Sequence, residues 1–240
     1  MASDDRSTTL DPARMIADAR RAFFVMTGVL AAVWLIQLAN WADDYRLTAD
    51  YGIRPQQLGR LADVFSAPFL HMNWQHLEGN SGPLFVFGFL AAYRGVRKFL
   101  GLTLLIAVTS GAAVWLFQDG NTLSAGASGV IYGYFGYVVL RGIFDRNLVD
   151  TLIGVVMGAS FAYMLTTAVP GTPQVSWLGH LGGLLGGLAG AWIFRDRRPR
   201  QAPAATPGAG PGAAAPAAPV PGQARSTHAD LLKELDDLGI

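Results

Sequence analysis

The sequence predicts an all-α protein embedded in a membrane, with six transmembrane helices of which the fourth is short and central. Three observations lead to this prediction. The hydrophobic fraction is 51% and the charged fraction only 15%, whereas about 25% of the residues in a soluble domain are charged. The mean hydropathy is +0.31. The apolar residues are gathered in segments close to the roughly 20 residues that a helix needs to cross a bilayer.

The apolar segments follow one another along the whole first four fifths of the chain. They span 22–40, 76–93, 99–117, 128–140, 148–169 and 177–194. The fourth has only 13 residues, which cover about 20 Å as a helix, whereas the hydrocarbon core is about 30 Å thick. We therefore expect this helix to begin partway down the membrane, after a loop over 118–127. Irregular backbone at that depth needs protein or a water-filled cavity around it, which places the fourth helix at the centre.

Basic residues predict the orientation in the membrane. Arginine and lysine lie before the first segment, after the second, after the fourth and after the sixth, whereas the opposite side has three arginines, all in the loop 41–75. By the positive-inside rule, both termini are cytoplasmic and the beginning of the fourth helix opens towards the outside. The residues behind this prediction are Arg6, Arg14, Arg20, Arg21, Arg94, Arg97, Lys98, Arg141, Arg146, Arg195, Arg197, Arg198 and Arg200.

Four regions result from this division of the chain. Residues 1–21 form a cytoplasmic N-terminal segment without the features of a cleaved signal peptide, and 22–194 form the membrane domain. An Ala/Pro/Gly-rich linker over 195–225 lacks the large side chains that a core needs. In the last region, 226–240, leucines fall on one helical face. This short amphipathic helix either contacts an unknown partner or the membrane, or is frayed in water.

Composition also excludes several function classes. The formal net charge is +1, so no overall field draws in nucleic acid, and we expect no nucleic-acid partner. The chain has no cysteine, which excludes disulfides, thiolate metal sites and a cysteine nucleophile. What remains is an integral membrane protein whose function has to be sought among its few buried polar residues.

Ser128 is the first of these polar residues. It lies in AGASGVIYG at the predicted start of the fourth helix, where free backbone N–H groups would stabilise a developing oxyanion. Gly126 and Gly129 leave room for the backbone of a substrate. Taken alone, the stretch is also what close helix packing through small residues requires.

His180 is the second. It lies in WLGHLGGLLGGLAGAW, in which Gly183 and Gly187 form a G-x-x-x-G face. We expect this face to pack against the glycine-rich fourth helix and to bring His180 beside Ser128, as the base that activates a serine. A structural histidine bonded to a carbonyl is the alternative.

His76 and Asn80 complete the pattern. They are four residues apart on the second segment and therefore share a helix face. Both donate hydrogen bonds, so both are candidates to hold an oxyanion. Tyr132 lies on the same face as Ser128, with its ring expected under the imidazole of the base.

Metal ligation and a carboxylate partner for the base are less well supported. Three histidines, His71, His76 and His180, would be the zinc ligands, but HMNWQHLEGN contains no H-E-x-x-H and its two histidines are five residues apart. Glu78 turns away from the face of His76. We therefore expect a Ser–His dyad rather than a triad, and no metal.

Three motifs in this order, HMNWQHLEGN (71–80), GASGVIYG (126–133) and GHLGGLLGG (179–187), resemble the rhomboid family of intramembrane serine proteases. The resemblance covers about residues 22–194. It implies a rhomboid-like six-helix bundle with a water-filled active site open to the outside, and no cofactor. The implied substrates are other transmembrane proteins, cut in or next to a helix that unwinds easily.

The resemblance also implies roles for single residues. Ser128 and His180 would form the dyad, and His76, Asn80 and the Ser128 N–H would hold the oxyanion. His71 fits a further histidine of the same motif, and Tyr132 fits the residue that packs against the catalytic histidine. One departure lies in the first loop, where Ala62 and Asp63 occupy the positions of a Trp-Arg pair that many members carry.

The sequence thus predicts an intramembrane serine endopeptidase whose partners are membrane lipid and transmembrane substrates. Two other classes stay open at this stage. One is a non-catalytic membrane protein that holds client helices in the same groove. The other is a small transporter, for which the sequence shows neither a repeated half nor a pair of broken helices.

Overall fold

A computed structural model describes residues 11–172 and 175–196. Within these ranges the regular structure is helical, apart from one antiparallel bridge between Ile53 and Ser124. The predicted C-terminal helix and most of the predicted linker lie outside the described residues. The helices are α1 (Pro12–Ala42), α2 (Arg46–Tyr51), α3 (Asp63–Ser66), α4 (Trp74–Ala92), α5 (Val96–Phe117), α6 (Ser128–Asp145), α7 (Leu148–Ser160) and α8 (Trp177–Ile193), with 3-10 segments at Leu58–Arg60, Ala67–Phe69 and Ala162–Thr167.

The larger helices lie where the apolar segments predict them. The ends of α4, α5 and α8 agree with the predicted segments to within three residues. Two helices in the described part of the chain, α1 and α5, are long and apolar enough to cross a membrane, and α7 is apolar but shorter. The count of six transmembrane spans therefore stays a prediction.

α1 begins ten residues before the first predicted segment, at Pro12. The carboxylate of Asp11 accepts the N–H of Ala13 at 3.0 Å and caps the helix, and proline suits the first helical position because it has no N–H to leave unbonded. Residues 12–21 are therefore the first turns of this helix, and residues 1–10 of the predicted N-terminal segment lie outside the described residues.

α6 begins at Ser128, as predicted, but it does not end at Leu140. It has 18 residues and continues to Asp145, a length of about 27 Å. The predicted short helix is wrong in its end because Arg141 does not interrupt it. The Arg141 guanidinium is neutralised by Asp150 Oδ1 at 2.8 Å and donates to Leu90 O at 2.6 Å, so the charge is compensated inside the bundle.

α6 is central, since α4, α5, α7 and α8 all pack against it. Its closest neighbour is α8, and glycines make the approach possible. A Cβ on Gly183 would lie 1.9 Å from Gly129 O, and a Cβ on Gly187 would lie 1.8 Å from Gly133 O. The two backbones are therefore in direct contact, which fixes the level of each α8 residue relative to α6.

The first loop, between α1 and α4, contains two short helices that the sequence did not indicate. Asn40 connects the first of them, α2, to α1: its Nδ2 donates to Thr48 Oγ1 at 2.8 Å and to His71 O at 3.2 Å, and its Oδ1 accepts the Thr48 N–H at 3.1 Å. Arg60 Nε lies 2.5 Å from Asp63 Oδ2. The Asn40 hydrogen bonds anchor the loop, which lacks the Trp-Arg pair, to α1, whereas the ion pair lies within the loop.

Candidate active site

Ser128 and His180 meet at the beginning of α6 and α8. Ser128 Oγ lies 2.9 Å from His180 Nε2. The glycine contacts between the two helices set this distance, because they bring the first turn of α6 level with the first turn of α8. Ser110 of α5 also holds the start of α8 at this height, because its hydroxyl donates to Gly179 O at 2.8 Å. A hydroxyl and an imidazole so placed can exchange a proton.

The second ring nitrogen of His180 identifies the tautomer. Nδ1 lies 2.8 Å from the carbonyl oxygen of Thr167. A carbonyl only accepts, so in the neutral ring the proton is on Nδ1. Nε2 then carries a lone pair and accepts the hydroxyl proton of Ser128. The sequence did not reveal Thr167, because a contact through a backbone carbonyl does not depend on the residue type.

The ring of Tyr132 covers one face of this imidazole. The two ring centroids are 4.0 Å apart and the planes differ by 6°. The hydroxyl of Tyr132 donates to Met164 O at 2.6 Å and also bonds to Thr167 Oγ1. Through its stacking and its hydrogen bonds, Tyr132 of α6 therefore contacts both α8 and the segment Ala162–Thr167.

His76 and Asn80 approach Ser128 from α4. The side chain of Asn73 caps this helix by accepting the His76 N–H at 2.8 Å. Asn80 Nδ2 is buried and has no hydrogen-bond partner among the residues that the structure describes. It is therefore a donor available to a ligand.

Gly126 lets the chain pass between α4 and Ser128. Its φ is +135°, which side-chain-bearing residues rarely adopt. A Cβ there would lie 2.9 Å from His76 Nε2 and 3.7 Å from Asn80 Nδ2. His76 Nε2 and Asn80 Nδ2 therefore face the backbone at Gly126, two residues before Ser128.

Gln118 holds the loop that precedes Ser128. Its Nε2 donates to Ser124 Oγ at 2.7 Å and its Oε1 accepts from Ser176 Oγ at 2.5 Å. Ser176 in turn caps α8 through the N–H of Gly179 at 3.3 Å. One amide therefore joins the loop before Ser128 to the start of the helix that carries His180. Its sequence signal, an amide at the end of an apolar helix, is too general to single it out.

His71 lies behind the loop and does not reach the hydroxyl. It is fully buried, its Nε2 accepts the Ala127 N–H at 3.4 Å, and its ring is 5.1 Å from that of His76. Burial, with repulsion by His76 as a smaller cause, lowers the pKa of His71 to about 3. His71 is therefore neutral at pH 7 and supports the residue before Ser128.

Ser128 and His180 open onto a cavity of about 890 Å³. It is lined by Ser128, His180, His76, Asn80 and Tyr132, together with residues of the loop before Ser128. Among the described residues there is no group of three or more His, Asp or Glu side chains that would hold a metal ion. The arrangement can activate a hydroxyl and offer hydrogen-bond donors to an anion.

Comparison with known proteins relates this site to one family. The family model for the Rhomboid domain matches residues 58–197. An uncharacterized protein of Mycobacterium tuberculosis (strain ATCC 25618 / H37Rv) is 36% identical over 172 residues, which cover 68% of this chain and 71% of that protein. Rhomboid-like protein 11, chloroplastic, of Arabidopsis thaliana is 30% identical over 53% of this chain and 50% of its own length. Rhomboid protease GlpG of Haemophilus influenzae is 25% identical over 74% of this chain and 91% of its own length.

Proposed function

Because the chain belongs to the rhomboid family and is therefore a multi-pass intramembrane serine protease, we propose that Ser128 and His180 are its catalytic dyad. One observation carries this proposal: Nε2 of His180 lies 2.9 Å from Ser128 Oγ while Nδ1 is bonded to a carbonyl. A base so oriented can only accept a proton on the side of the serine. No carboxylate is needed for this orientation.

The proposed reaction is acyl transfer to water. Ser128 Oγ attacks the peptide carbonyl as its proton moves to His180 Nε2. The imidazolium then gives that proton to the leaving amine, and the C–N bond breaks. Water attacks the acyl-enzyme, loses a proton to Nε2, and releases the acid when the proton returns to Ser128 Oγ.

The oxyanion formed in the attack is held by His76, Asn80 and the backbone N–H of Ser128. The buried Nδ2 of Asn80, which lacks a protein partner in the described chain, supports this assignment. Ser128 is the first residue of α6, so its N–H has no partner within the helix and lies at the positive end of the helix dipole. Donors of this kind stabilise a transition state because they are oriented before charge develops.

The proposed substrates are transmembrane proteins, cut in or near their membrane segment. A peptide bond within a regular helix is hydrogen-bonded and shielded by side chains, so a substrate has to unwind before its carbonyl can reach Ser128. Of the two glycines expected to leave room for the substrate, Gly126 faces His76, whereas Gly129 packs against Ser110 of α5 and Gly179 of α8 and so serves helix packing. Following the distribution of basic residues, both termini are cytoplasmic and the cavity opens to the outside.

The test compares cleavage of a model transmembrane substrate by purified wild type and Ser128→Ala. We expect Ser128→Ala to lose cleavage and labelling by a fluorophosphonate probe, with no change in thermal unfolding. Ser81→Ala is the matched control, because this hydroxyl on α4 donates to Leu77 O at 2.8 Å and does not line the cavity. Equal cleavage by wild type and Ser128→Ala would contradict the proposal. So would a wild-type protein that binds the transmembrane substrate without cleaving it.

A further inference from the structure

A backbone carbonyl, rather than a carboxylate, orients His180. It belongs to Thr167, the last residue of the 3-10 segment Ala162–Thr167 that follows α7. In Ser-His-Asp enzymes a buried carboxylate selects the tautomer of the base through its charge. A neutral carbonyl is a weaker acceptor, so it can select the tautomer only if the backbone that carries it is held in place.

Two hydroxyls hold this backbone. Tyr132 donates to Met164 O at 2.6 Å, Thr167 Oγ1 lies 3.0 Å from the same oxygen, and the two hydroxyls bond to each other. The two hydroxyl protons form two of these three contacts at a time: with Tyr132 donating to Met164 O, the Thr167 hydroxyl donates either to the Tyr132 oxygen or to Met164 O. The hydrogen bonds of the triangle close the last turn of the segment and connect it to α6.

Tyr132 therefore acts on His180 twice. Its ring stacks on the imidazole, and its hydroxyl fixes the segment whose carbonyl receives the imidazole proton. The ring sets the plane of His180, and the hydroxyl sets the acceptor within that plane. Removing the hydroxyl alone would separate the two effects.

We propose that Thr167 and the hydroxyl of Tyr132 are positioning residues, which keep the Thr167 carbonyl on Nδ1 of His180 and so maintain the tautomer that accepts the Ser128 proton. The proposal rests on the proposed dyad. If the triangle is broken, the carbonyl moves and the other tautomer becomes populated. In that tautomer Nε2 carries the proton and cannot accept one from Ser128.

We expect the segment to stay folded without the triangle, because Met164 and Ala168, the residue after the segment, are buried in the apolar core. Substitutions in the triangle therefore alter orientation and leave the fold intact. This makes turnover and the position of a proton the quantities to measure, with thermal unfolding as the check on the fold.

The experiment compares four variants in detergent with a model transmembrane substrate. We expect Thr167→Val and Tyr132→Phe to lower kcat about tenfold, the value of one well-placed hydrogen bond, with KM within about twofold. Thr167→Ser keeps the hydroxyl and restores kcat. Thr166→Val is the matched control, because the exposed Thr166 hydroxyl donates to Tyr163 O, within its own turn, at 2.7 Å.

A second measurement does not depend on activity. Nitrogen NMR of ¹⁵N-histidine-labelled protein reports the proton position in each of the 4 histidines, and the His180 signals are assigned by their loss in His180→Ala. We expect Nδ1–H in wild type and Thr167→Ser, and a rise of Nε2–H in Thr167→Val and Tyr132→Phe. Wild-type kcat and an unchanged tautomer in Thr167→Val would overturn the inference, as would a rise in KM alone. Absence of Ser128-dependent cleavage in wild type would instead overturn the proposed function, and the NMR result would still test the tautomer.

Discussion

The two ends of α6 place polar groups in an apolar bundle in different ways. At the serine end, which comprises Ser128 and the side chains around it, the groups form neutral hydrogen bonds to carbonyls and hydroxyls. At the charged end, around Arg141 and Asp145, the groups are guanidinium and carboxylate. The first arrangement leaves donors and a lone pair for a substrate, and the second neutralises charge within the protein.

The charged end is a connected set of ion pairs. Asp150 binds both Arg141, at 2.8 Å, and Arg94, and Arg94 lies 3.0 Å from Asp145. The N–H of Asp196 donates to Asp145 Oδ1 at 2.7 Å. These contacts join the turn after α4, the end of α6, the start of α7 and the residues after α8. Such a set fixes helix ends and compensates its charges within the protein, although the buried Nε groups of Arg94 and Arg141 lack a hydrogen-bond partner among the described residues.

From this difference we expect substitutions at the charged end to affect mainly stability, and substitutions at the serine end to affect mainly turnover. A substitution at the charged end leaves an uncompensated charge in the bundle, so it lowers the free energy of unfolding. A substitution at the serine end removes a neutral contact to the reacting groups, so it lowers turnover. The largest effect is expected at the charged end, because burying an unpaired charge is the most costly of these changes.

Asp150→Asn breaks the charged end. It leaves Arg141, which is 2% exposed, without its carboxylate, and we expect the free energy of unfolding to fall by about 3–5 kcal/mol. Unfolding in detergent by heat or denaturant measures this, and kcat of the folded fraction should stay at the wild-type value. Asp18→Asn is the control, because its partner Arg21 is exposed and such pairs contribute about 0–1 kcal/mol. An equal loss of stability in both variants would contradict the comparison.

Asn80→Ala breaks the serine end. The variant removes one proposed oxyanion donor, so we expect kcat to fall by about 10²–10³, or roughly 2.7–4 kcal/mol of transition-state stabilisation. Because Asn80 Nδ2 forms no protein hydrogen bond within the described chain, its loss should not lower the unfolding temperature. Asn121→Ala, on the exposed part of the loop, is the control for both measurements. A stability loss without a change in kcat would reverse the assignment of Asn80.

The sequence could predict the serine end better than the charged end for a physical reason. Ser128, His180 and their glycines stand in local motifs, and packing of glycine faces follows from spacing alone. Arg141 was expected to end a helix, because the carboxylate that compensates it is nine positions away, on the next helix. Only tertiary structure brings the two together.

The same reason explains what was missed around the site. Thr167 acts through its carbonyl, which every residue has, and Gln118 acts through hydrogen bonds to distant segments. The short helix α2 is held by the buried amide of Asn40, which the sequence shows only as a polar residue at the end of an apolar segment. Contacts of this kind carry no local pattern, so the sequence alone could not have placed them.

The smallest predicted effect, counted per pH unit, is the pH dependence of stability at the serine end. It sharpens the comparison because acid adds charge to the neutral imidazoles of this end, whereas it removes charge from the carboxylates of the other. Burial first, and repulsion by His76 second, lower the pKa of His71 to about 3 in the native protein, whereas it is about 6.5 in an unfolded chain. Between these values the unfolded state binds more protons than the native state. The free energy of unfolding therefore falls as the pH decreases from about 6.5 towards 3, by at most about 1.4 kcal/mol per pH unit for this one group. We expect His71→Asn, which cannot take up this proton, to have a shallower dependence when unfolding is measured between pH 7 and 4, and Asp18→Asn to keep the wild-type slope. If His71→Asn were as acid-sensitive as the wild type, the protonation of another group would govern the acid response of this end.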